Sequence, residues 1–478
     1  MEIMDVFDSY SERYRRQYNI VKEFLAEELS VCALIGPRKV GKTFLLGQLA
    51  SEYSNAIYVD FKIVSDPDAQ DEIFSNIVES IEKRQNVIWL LDEITSCDLF
   101  DNKLCMLAEK LVRISPVKII ITGSQQTAIK ASMYSAFSIK AKYIYMPFLS
   151  FYEYIMMNKF SSEYHKISLD NILQFDITEE DFKNYVTQKY SLMKYTDLEA
   201  YVTACLNETI TSNLKSCSCL VNDVTDVDVT DIIKVMYAIL YKLHNRCNTT
   251  TFIADDHVKK ITSDYNFKYT KIRRVDLLEA YQKSIFYKYQ SAKMVDKETF
   301  RKIILFLKEI NFIYVETDNL QDIANWSKYK CHSDNALNVD EFFSRYNVCF
   351  KYPFFYYALV EDIVKNLNDT ITASDFLFGS LYGSMVECAV KGALANFERD
   401  DILLILRDDC HEVDFFSGTR QIAVEISVRD KGLVETNFDH FSELLSASQK
   451  FLLGRDKFEL GDIIRIPYYL FIMYIESL

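Results

Sequence analysis

The chain lacks several features that would place it in a specialised class of protein. Its 11 cysteines include no CxxC pair, so neither a disulfide framework nor a zinc site is predicted. No tract is rich in proline, glycine or serine, and no apolar run approaches the length of a bilayer span. These absences argue against a disulfide-rich, a largely disordered or a membrane-spanning protein.

An excess of positive charge is also missing, since the formal net charge is -15 at pH 7. Proteins that coat nucleic acid without sequence preference need clustered lysine and arginine to release counterions, so this chain is not expected to bind in that way. One local cluster, residues 259–274, mixes basic with aromatic side chains. It fits a solvated helix and loop at least as well as a contact with nucleic acid.

The remaining composition suits a folded chain of more than one domain. At 478 residues the chain is too long for one hydrophobic core, and 49% of its residues are hydrophobic, enough to fill several. The first ten residues carry acidic rather than basic side chains, the wrong sign for a secretory or organellar leader. A cytoplasmic location, with no membrane partner, is therefore expected.

A glycine-containing motif follows the first clear strand. The apolar run at residues 31–35 has the character of a buried parallel strand and leads into GPRKVGKT at residues 36–43, which fits the pattern GxxxxGK[ST]. Apolar residues then recur at helical spacing, so the loop opens onto a helix N-terminus, where backbone N–H groups meet phosphate. The predicted nucleotide-binding residues are Gly36, Pro37, Arg38, Lys39, Val40, Gly41, Lys42, Thr43 and Phe44.

The chemistry of this motif points to ATP with Mg²⁺. Gly36 and Gly41 let the backbone curl around a β-phosphate along a path that a Cβ would obstruct. Lys42 is expected to bridge the β- and γ-phosphates, and the hydroxyl of Thr43 to reach Mg²⁺, which prefers hard oxygen ligands.

A second apolar strand ends in two carboxylates. Residues 86–91 are mostly apolar and run into Asp92 and Glu93. Behind a complete P-loop, this pattern predicts that Asp92 holds Mg²⁺ and that Glu93 orients or deprotonates the attacking water.

Two further strands complete the prediction for this domain. Residues 56–60 follow the P-loop helix and end in Asp60, which is either close to the site or merely solvated. Residues 117–122 run towards Ser124, whose hydroxyl is equally suited to sensing the γ-phosphate and to capping the strand end. The order β-α-β-α-β-α-β predicts an α/β domain, a P-loop NTPase parallel sheet with helices on both faces.

Together these motifs resemble a widespread prokaryotic family of AAA-type ATPases. The likeness rests on GPRKVGKT, YVDF at 58–61, LLDEI at 90–94, ITGS at 121–124 and PFLSFYEY at 147–154. In that family a P-loop domain precedes a winged-helix segment and a C-terminal domain of unknown function related to PD-(D/E)xK nucleases. The expected domains are a P-loop ATPase domain (1–160), a helical lid or linker (161–245), a winged-helix-like domain (246–350) and a restriction-endonuclease-like α/β domain (351–478).

The chain departs from this family at one cationic position. Members usually carry a Gly-Arg pair shortly before the PFLSFYEY stretch, whereas residues 136–142 contain no arginine here. Lys140 or Lys142 would be an imperfect substitute, because lysine lacks the planar fork of a guanidinium. Hydrolysis is therefore expected to be slow unless a neighbouring subunit of a homo-oligomer supplies an arginine.

The predicted winged helix is acidic. Residues 297–307 have apolar side chains at helical spacing and precede the strand-like residues 312–315, which is the order of a winged helix. The acidic residues around the helix favour packing against protein over DNA readout. They are Glu298, Glu309, Glu316 and Asp318.

The C-terminal segment resembles a nuclease core without its usual lysine. In active relatives the matching carboxylates bind one or two Mg²⁺ ions. These candidate metal ligands are Glu387, Asp414 and Glu425. The lysine expected two positions after the last of them is Ser427 here, so nuclease activity is not expected. Nearby residues that could still bring positive charge are Arg429, Lys431 and Lys450.

The predicted function is that of an ATP-dependent switch. ATP and Mg²⁺ order the P-loop domain, and binding or hydrolysis repositions the other domains for a partner, either a protein or DNA. Two alternatives stay open. One is an ATP-regulated, metal-dependent DNase, against which Ser427 weighs; the other is a scaffold that holds ATP without turnover, against which Glu93 weighs.

Overall fold

The computed structural model describes most of the chain as two compact units. The first unit lies within residues 1–165 and 200–226, and the second lies within residues 166–189, 197–199 and 227–478. The described residues are 15–111, 115–123, 125–160, 165, 167–188, 197–215, 224–247, 269–317, 320–331, 335–367, 372–398, 402–407, 411–417, 420–426, 435–445 and 448–478. Most of the basic and aromatic cluster therefore lies outside the described residues.

The first unit is built around a five-stranded sheet. Its strands are β1 (Val31–Ile35), β2 (Ala56–Asp60), β3 (Ile88–Asp92), β4 (Lys118–Thr122) and β5 (Ala141–Tyr145). They are all parallel and have the order β2-β3-β4-β1-β5. The helices are α1 (Arg16–Ala26), α2 (Lys42–Glu52), α3 (Pro67–Glu82), α4 (Phe100–Lys110), α5 (Gln126–Phe137), α6 (Phe151–Lys159) and most of α8 (Leu198–Lys215).

Apolar runs explain the centre of this sheet. Every residue of β1, β3 and β4 is buried, as expected of parallel strands covered by helices. Alternate residues of these strands pack with α3, α4 and α5 in one hydrophobic cluster. The predicted parallel α/β arrangement is confirmed, with β5 as an additional strand beside β1. Because the strands are parallel, the P-loop after β1 and the acidic end of β3 emerge at the same edge.

The second unit contains a seven-stranded mixed sheet. Its strands are β6 (Ile313–Thr317), β7 (Asn347–Phe350), β8 (Ile402–Arg407), β9 (Glu412–Ser417), β10 (Ile422–Ile426), β11 (Gln449–Gly454) and β12 (Ile463–Pro467). Their order is β12-β11-β10-β9-β8-β6-β7. The first helices of this unit are α7 (Glu179–Gln188), α9 (Val229–Cys247), α10 (Tyr269–Ala292), α11 (Lys297–Glu309), α12 (Leu320–Cys331) and α13 (Val339–Phe343). The later helices are α14 (Pro353–Leu367), α15 (Ala373–Ser380), α16 (Tyr382–Glu398), α17 (Glu435–His440) and α18 (Tyr468–Ser477).

The sheet of the second unit crosses the expected boundary at residue 350. The predicted helix and following strand are present as α11 and β6, but β6 pairs with β8 on one side and with β7 on the other. The strand of the predicted winged helix therefore shares a sheet with the strands of the predicted nuclease-like domain. Pairing with β8 satisfies the backbone groups that an isolated wing would leave at an open edge.

The predicted lid or linker is also divided. Residues 166–189 are grouped with the second unit, whereas residues 200–226 are grouped with the first. Helical periodicity predicts that such segments are helices, but it does not tell against which core they pack. None of the helices in the described residues is long and apolar enough to cross a membrane.

Candidate functional site

Close approach and a left-handed turn shape the P-loop. A Cβ added to Gly36 would lie 2.0 Å from the carbonyl oxygen of Met146, so any other residue there would clash with the backbone that follows β5. Lys39 and Gly41 have φ angles of 65° and 96°, in the region that favours glycine. The two glycines of the motif are thus required for different reasons, the first by a close contact and the second by its backbone angle.

Lys42 lies at the start of α2 with its amine inside the loop. The Nζ atom donates to the carbonyl oxygens of Gly36, at 2.8 Å, and Pro37, at 2.7 Å. Burial lowers the pKa of Lys42, while the negative charges of Glu93 and nearby carboxylates oppose the shift. The amine is therefore held inside the loop, where the motif predicts contact with phosphate.

Thr43 and Asp92 meet in space, although they belong to different motifs. The Thr43 side chain lies near enough to Asp92 to favour its ionised form, and the hydroxyl of Tyr58 donates to Asp92 Oδ2 at 2.9 Å. Burial raises the pKa of Asp92, the nearby Thr43 side chain opposes the shift, and the charge of Glu93 adds to it. Sequence reasoning missed Tyr58, although its place in YVDF, two residues before Asp60, puts it on the strand next to β3.

Glu93 lies just beyond β3, beside a lysine that follows β2. Its φ of 51° is uncommon for a residue with a side chain. Its Oε1 atom lies 2.9 Å from Nζ of Lys62. Burial alone would lower the pKa of Lys62, but the charges of Glu93 and Glu208 outweigh burial and raise it. Lys62 is therefore positively charged next to the carboxylate that was predicted to direct water.

A glutamate of α8 extends this row of charges to the P-loop. Glu208 Oε1 lies 2.8 Å from Arg38 Nη1 and 3.3 Å from Lys62 Nζ. The same helix reaches the loop through Tyr201, whose hydroxyl donates to the carbonyl oxygen of Arg38 at 2.9 Å. Neither Lys62 nor Glu208 belongs to a recognisable motif, so the sequence carried no signal for either.

The two lysines considered as substitutes for the family arginine are at the other end of the sheet. Lys142 is opposite Cys32 in the β1–β5 register and pairs with Glu27, and Lys140 precedes β5. The P-loop follows the far end of β1. Arg38 and Lys62 bring positive charge to that edge instead.

The predicted sensor residue Ser124 lies outside the described residues. Its neighbour Gln125 is buried and donates from Nε2 to the hydroxyl of Thr209 on α8. The role of Ser124 therefore stays a prediction.

The three carboxylates predicted as a second metal site lie on three elements of the second unit. Glu387 is on α16, Asp414 on β9 and Glu425 on β10. Phe415 pairs with Val424 across the antiparallel strands, so Asp414 and Glu425 occupy the next pair of positions. Within the described part of the chain, no group of three His, Cys, Asp or Glu residues is arranged to hold a metal ion. The second metal site thus stays a prediction.

Two of these carboxylates are unfavourably placed for carrying charge. Asp414 accepts a hydrogen bond from the backbone N–H of Ile426 at 2.8 Å, and Glu425 accepts one from Asn437 at 3.2 Å. Burial raises the pKa of Asp414, and the charge of Glu387 adds to the shift. Burial is the main cause that raises the pKa of Glu425, and the charge of Asp414 is the second.

A buried lysine stands near this group. Lys391 follows Glu387 by one helical turn, and its Nζ lies 2.8 Å from Glu387 Oε1 and 3.3 Å from Glu316 Oε1. Its charge opposes the rise in the pKa of Asp414. From the sequence, the positive charge was expected two residues after Glu425 instead. Of the residues considered there, Lys450 lies on β11 opposite Ala423, and the others lie outside the described residues, namely Ser427, Arg429 and Lys431.

We expect Glu425→Gln to stabilise the second unit at pH 8 and to have little effect at pH 5. A carboxyl whose pKa is raised on folding favours the folded state when protonated, so stability falls as the pH rises above about 4, where the unfolded group ionises. The glutamine removes this ionisation and the repulsion with Asp414. Thermal unfolding midpoints across this pH range test the prediction, with the exposed Glu459→Gln as control. An equal pH dependence in wild type and variant would contradict it.

Comparison with known proteins agrees with the geometry of the first unit. Residues 29–155 match a family model described as an AAA domain. No protein in the curated set matches the chain.

Three solved structures resemble this chain with low sequence identity and low TM-scores. A Walker-type ATPase of Pyrococcus abyssi has 13% identity and a TM-score of 0.32, covering 63% of this chain and 90% of its own. AMPPCP-bound DnaA from Aquifex aeolicus has 14% identity and a TM-score of 0.26, covering 62% and 93%. A DNA replication initiation factor has 15% identity and a TM-score of 0.25, covering 66% and 89%.

The matched residues include the P-loop, the acidic end of β3 and the whole five-stranded sheet. Residues 29–155 therefore form an AAA-type P-loop domain, the kind of domain that binds ATP.

Proposed function

We propose that the first unit binds ATP with Mg²⁺ and hydrolyses it to ADP and phosphate. The observation that carries this proposal is the geometry of the P-loop, in which the carbonyl oxygens of Gly36 and Pro37 hold the buried amine of Lys42. Thr43 follows Lys42 in the loop, and Glu93 directly follows Asp92 at the end of β3. A P-loop hydroxyl and an aspartate at a strand end are the pair of groups that P-loop NTPases use to hold the metal.

The residues present fit a magnesium ion. Both side chains offer oxygen, the ligand that Mg²⁺ prefers. Asp92 is buried and its pKa is raised. The protein groups around it therefore stabilise its negative charge less well than water does. When bound, Mg²⁺ would neutralise charge on the β- and γ-phosphates.

The P-loop supplies the remaining groups that hold the phosphates. Its backbone amides at the start of α2 attract negative charge, because a helix N-terminus carries unpaired N–H groups and the positive end of the dipole. Lys42 would exchange its carbonyl partners for oxygens of the β- and γ-phosphates. Arg38 lies within the loop and adds positive charge at its mouth.

Glu93 would act as the proton acceptor. The oxygen of a water molecule forms a bond to the γ-phosphorus while the bond from that phosphorus to the β,γ-bridging oxygen breaks. The water proton passes to the carboxylate of Glu93, and the electron pair of the broken bond stays on ADP. Lys62, at 2.9 Å, fixes the orientation of this carboxylate. Ser124, two residues after β4 in the sequence, would sense the γ-phosphate.

We further propose that this turnover repositions the second unit for a partner, a protein or DNA. The net charge of -15 favours a protein. A scaffold would bind ATP without releasing phosphate. An ATP-regulated DNase would instead nick duplex DNA in a manner that requires Asp414 and Glu425. Phosphate release separates the ATPase from the scaffold, and its stimulation by added duplex DNA would indicate a nucleic-acid partner. Nicking of that DNA, lost in Asp414→Asn and Glu425→Gln, would indicate the DNase.

Asp92→Asn tests the hydrolysis proposal. The amide keeps the shape of the side chain but loses the charge that would hold Mg²⁺, so Mg²⁺-dependent phosphate release should fall by roughly a hundredfold or more, about 2.7 kcal/mol of barrier. Asp60→Asn is the matched control, because Asp60 occupies the paired position on the neighbouring strand. Equal activity of Asp92→Asn and wild type would refute the assignment of the metal ligand.

A further inference from the structure

Arg15, just before α1, joins two segments of the first unit that are far apart in sequence. Its guanidinium forms a bidentate pair with Glu153, with Nε–Oε1 at 2.8 Å and Nη2–Oε2 at 2.9 Å. Its Nη1 donates to the carbonyl oxygen of Val40 at 2.6 Å, and its Nη2 donates to that of Pro147 at 2.9 Å. Both charged side chains are buried, so the contacts are shielded from solvent.

Glu153 is itself held in place by the start of α6. Its backbone N–H donates to the hydroxyl of Ser150 at 3.1 Å, and its carboxylate accepts from the backbone N–H of Ser150 at 3.4 Å, a capping box. The backbone N–H of Arg16 adds a contact at 3.2 Å. This arrangement gives a physical reason for the PFLSFYEY stretch, which has no part in the proposed chemistry. The backbone N–H groups of Ser150 and Arg16 orient the carboxylate that pairs with Arg15, whereas the Ser150 hydroxyl only caps the helix.

The contact between Arg15 and the Val40 carbonyl lies within the tightest turn of the P-loop. Val40 lies between the two residues with positive φ, Lys39 and Gly41, and two residues before Lys42. In a trans peptide the carbonyl and the next N–H point in opposite directions. Holding the Val40 carbonyl towards Arg15 therefore turns the N–H of Gly41 away from Arg15, towards the side on which loop amides would meet phosphate.

We propose that Arg15, fixed by Glu153, is a positioning residue that sets the P-loop backbone for nucleotide. This inference rests on the proposed ATP site. Arg15 itself does not contact the nucleotide. Its effect is on the direction of the loop amides and on the start of α2, from which Lys42 projects. A lysine could not replace it, because a single ammonium group cannot donate to Glu153, Val40 and Pro147 in the fixed directions of the guanidinium fork.

Arg15→Lys tests this inference. We expect the variant to fold and to bind a fluorescent ATP analogue with Mg²⁺ about tenfold to a hundredfold more weakly than wild type, because small displacements of positioned groups have effects of this size. Binding is measured well below the unfolding midpoint of each protein. Glu153→Gln keeps one oxygen acceptor and should show a smaller loss in the same direction, which also covers the case in which Arg15→Lys fails to fold.

Ser150→Ala is the matched control. It removes the hydroxyl that caps α6 but leaves every contact of the guanidinium, so the unfolding midpoint should fall while the dissociation constant for the analogue stays that of wild type. If Arg15→Lys binds as tightly as wild type and only its midpoint falls, Arg15 is structural and the inference is overturned. If wild type itself binds no nucleotide, the proposed function fails, and the inference falls with it.

Discussion

Glu93→Gln should bind ATP as wild type does and release phosphate about 10² to 10⁴ times more slowly. Removing a general base costs rate in this range, while an amide of the same shape leaves the phosphate-binding loop intact. The affinity and the rate must be measured separately, by titration with a fluorescent ATP analogue and by steady-state phosphate release. A loss of affinity equal to the loss of rate would show that Glu93 contributes to binding instead.

Glu208→Gln tests whether Glu93 acts as the proton acceptor or only as an ion-pair partner of Lys62. Both glutamates contact Lys62 Nζ, at 2.9 Å for Glu93 and 3.3 Å for Glu208. Only Glu93 directly follows the strand that carries Asp92. We expect Glu208→Gln to keep most of the phosphate-release rate. If the two variants lose the same amount, the role assigned to Glu93 is wrong and the charge of Lys62 is what matters.

Lys391→Met should destabilise the second unit by about 3–5 kcal/mol, the usual cost of leaving a buried partner charge uncompensated. The ammonium group is fully buried between Glu387 and Glu316, and Glu316 has an exposed fraction of only 1%. Methionine matches the length of the lysine but supplies no charge. Adding Glu316→Gln to the variant should recover part of the loss, because it removes one of the two carboxylates.

The two tryptophans allow this effect to be followed in the correct unit. Trp89 lies on β3 and Trp326 on α12, where it is buried. In a Trp89→Phe background, denaturant-induced change in tryptophan fluorescence therefore reports on the second unit. The exposed Lys365→Met is the control and should change stability by less than about 0.5 kcal/mol. A Lys391→Met protein as stable as this control would contradict the account of the buried charges.

Features that are local in sequence could be predicted from it. The P-loop needs a buried strand, two glycines and a helix start within a few residues of one another, and the structure has β1, the loop and α2 in that order. The acidic end of β3 was predicted in the same way. Both rely on the periodicity and backbone preferences of short segments, which act without the rest of the fold.

Contacts between distant segments could not be predicted in that way. Arg15 and Glu153 stand at opposite ends of the first unit's main segment, and neither has a local feature that reveals the other. Lys391 lies on a helix, whereas the expected cation lay after a strand. The pairing of β6 with β8 depends on which edge is free once the sheet assembles. Each of these contacts is determined by tertiary packing.

Steady-state phosphate release with Mg²⁺ and ATP, compared between wild type and Lys42→Ala, tests the central claim most directly. We expect measurable turnover by wild type and none by the variant, because Lys42 is the amine that would hold the β- and γ-phosphates. Turnover by both proteins would place hydrolysis outside this site. No turnover by a wild-type protein that binds ATP would contradict the hydrolysis claim and leave a nucleotide-holding scaffold.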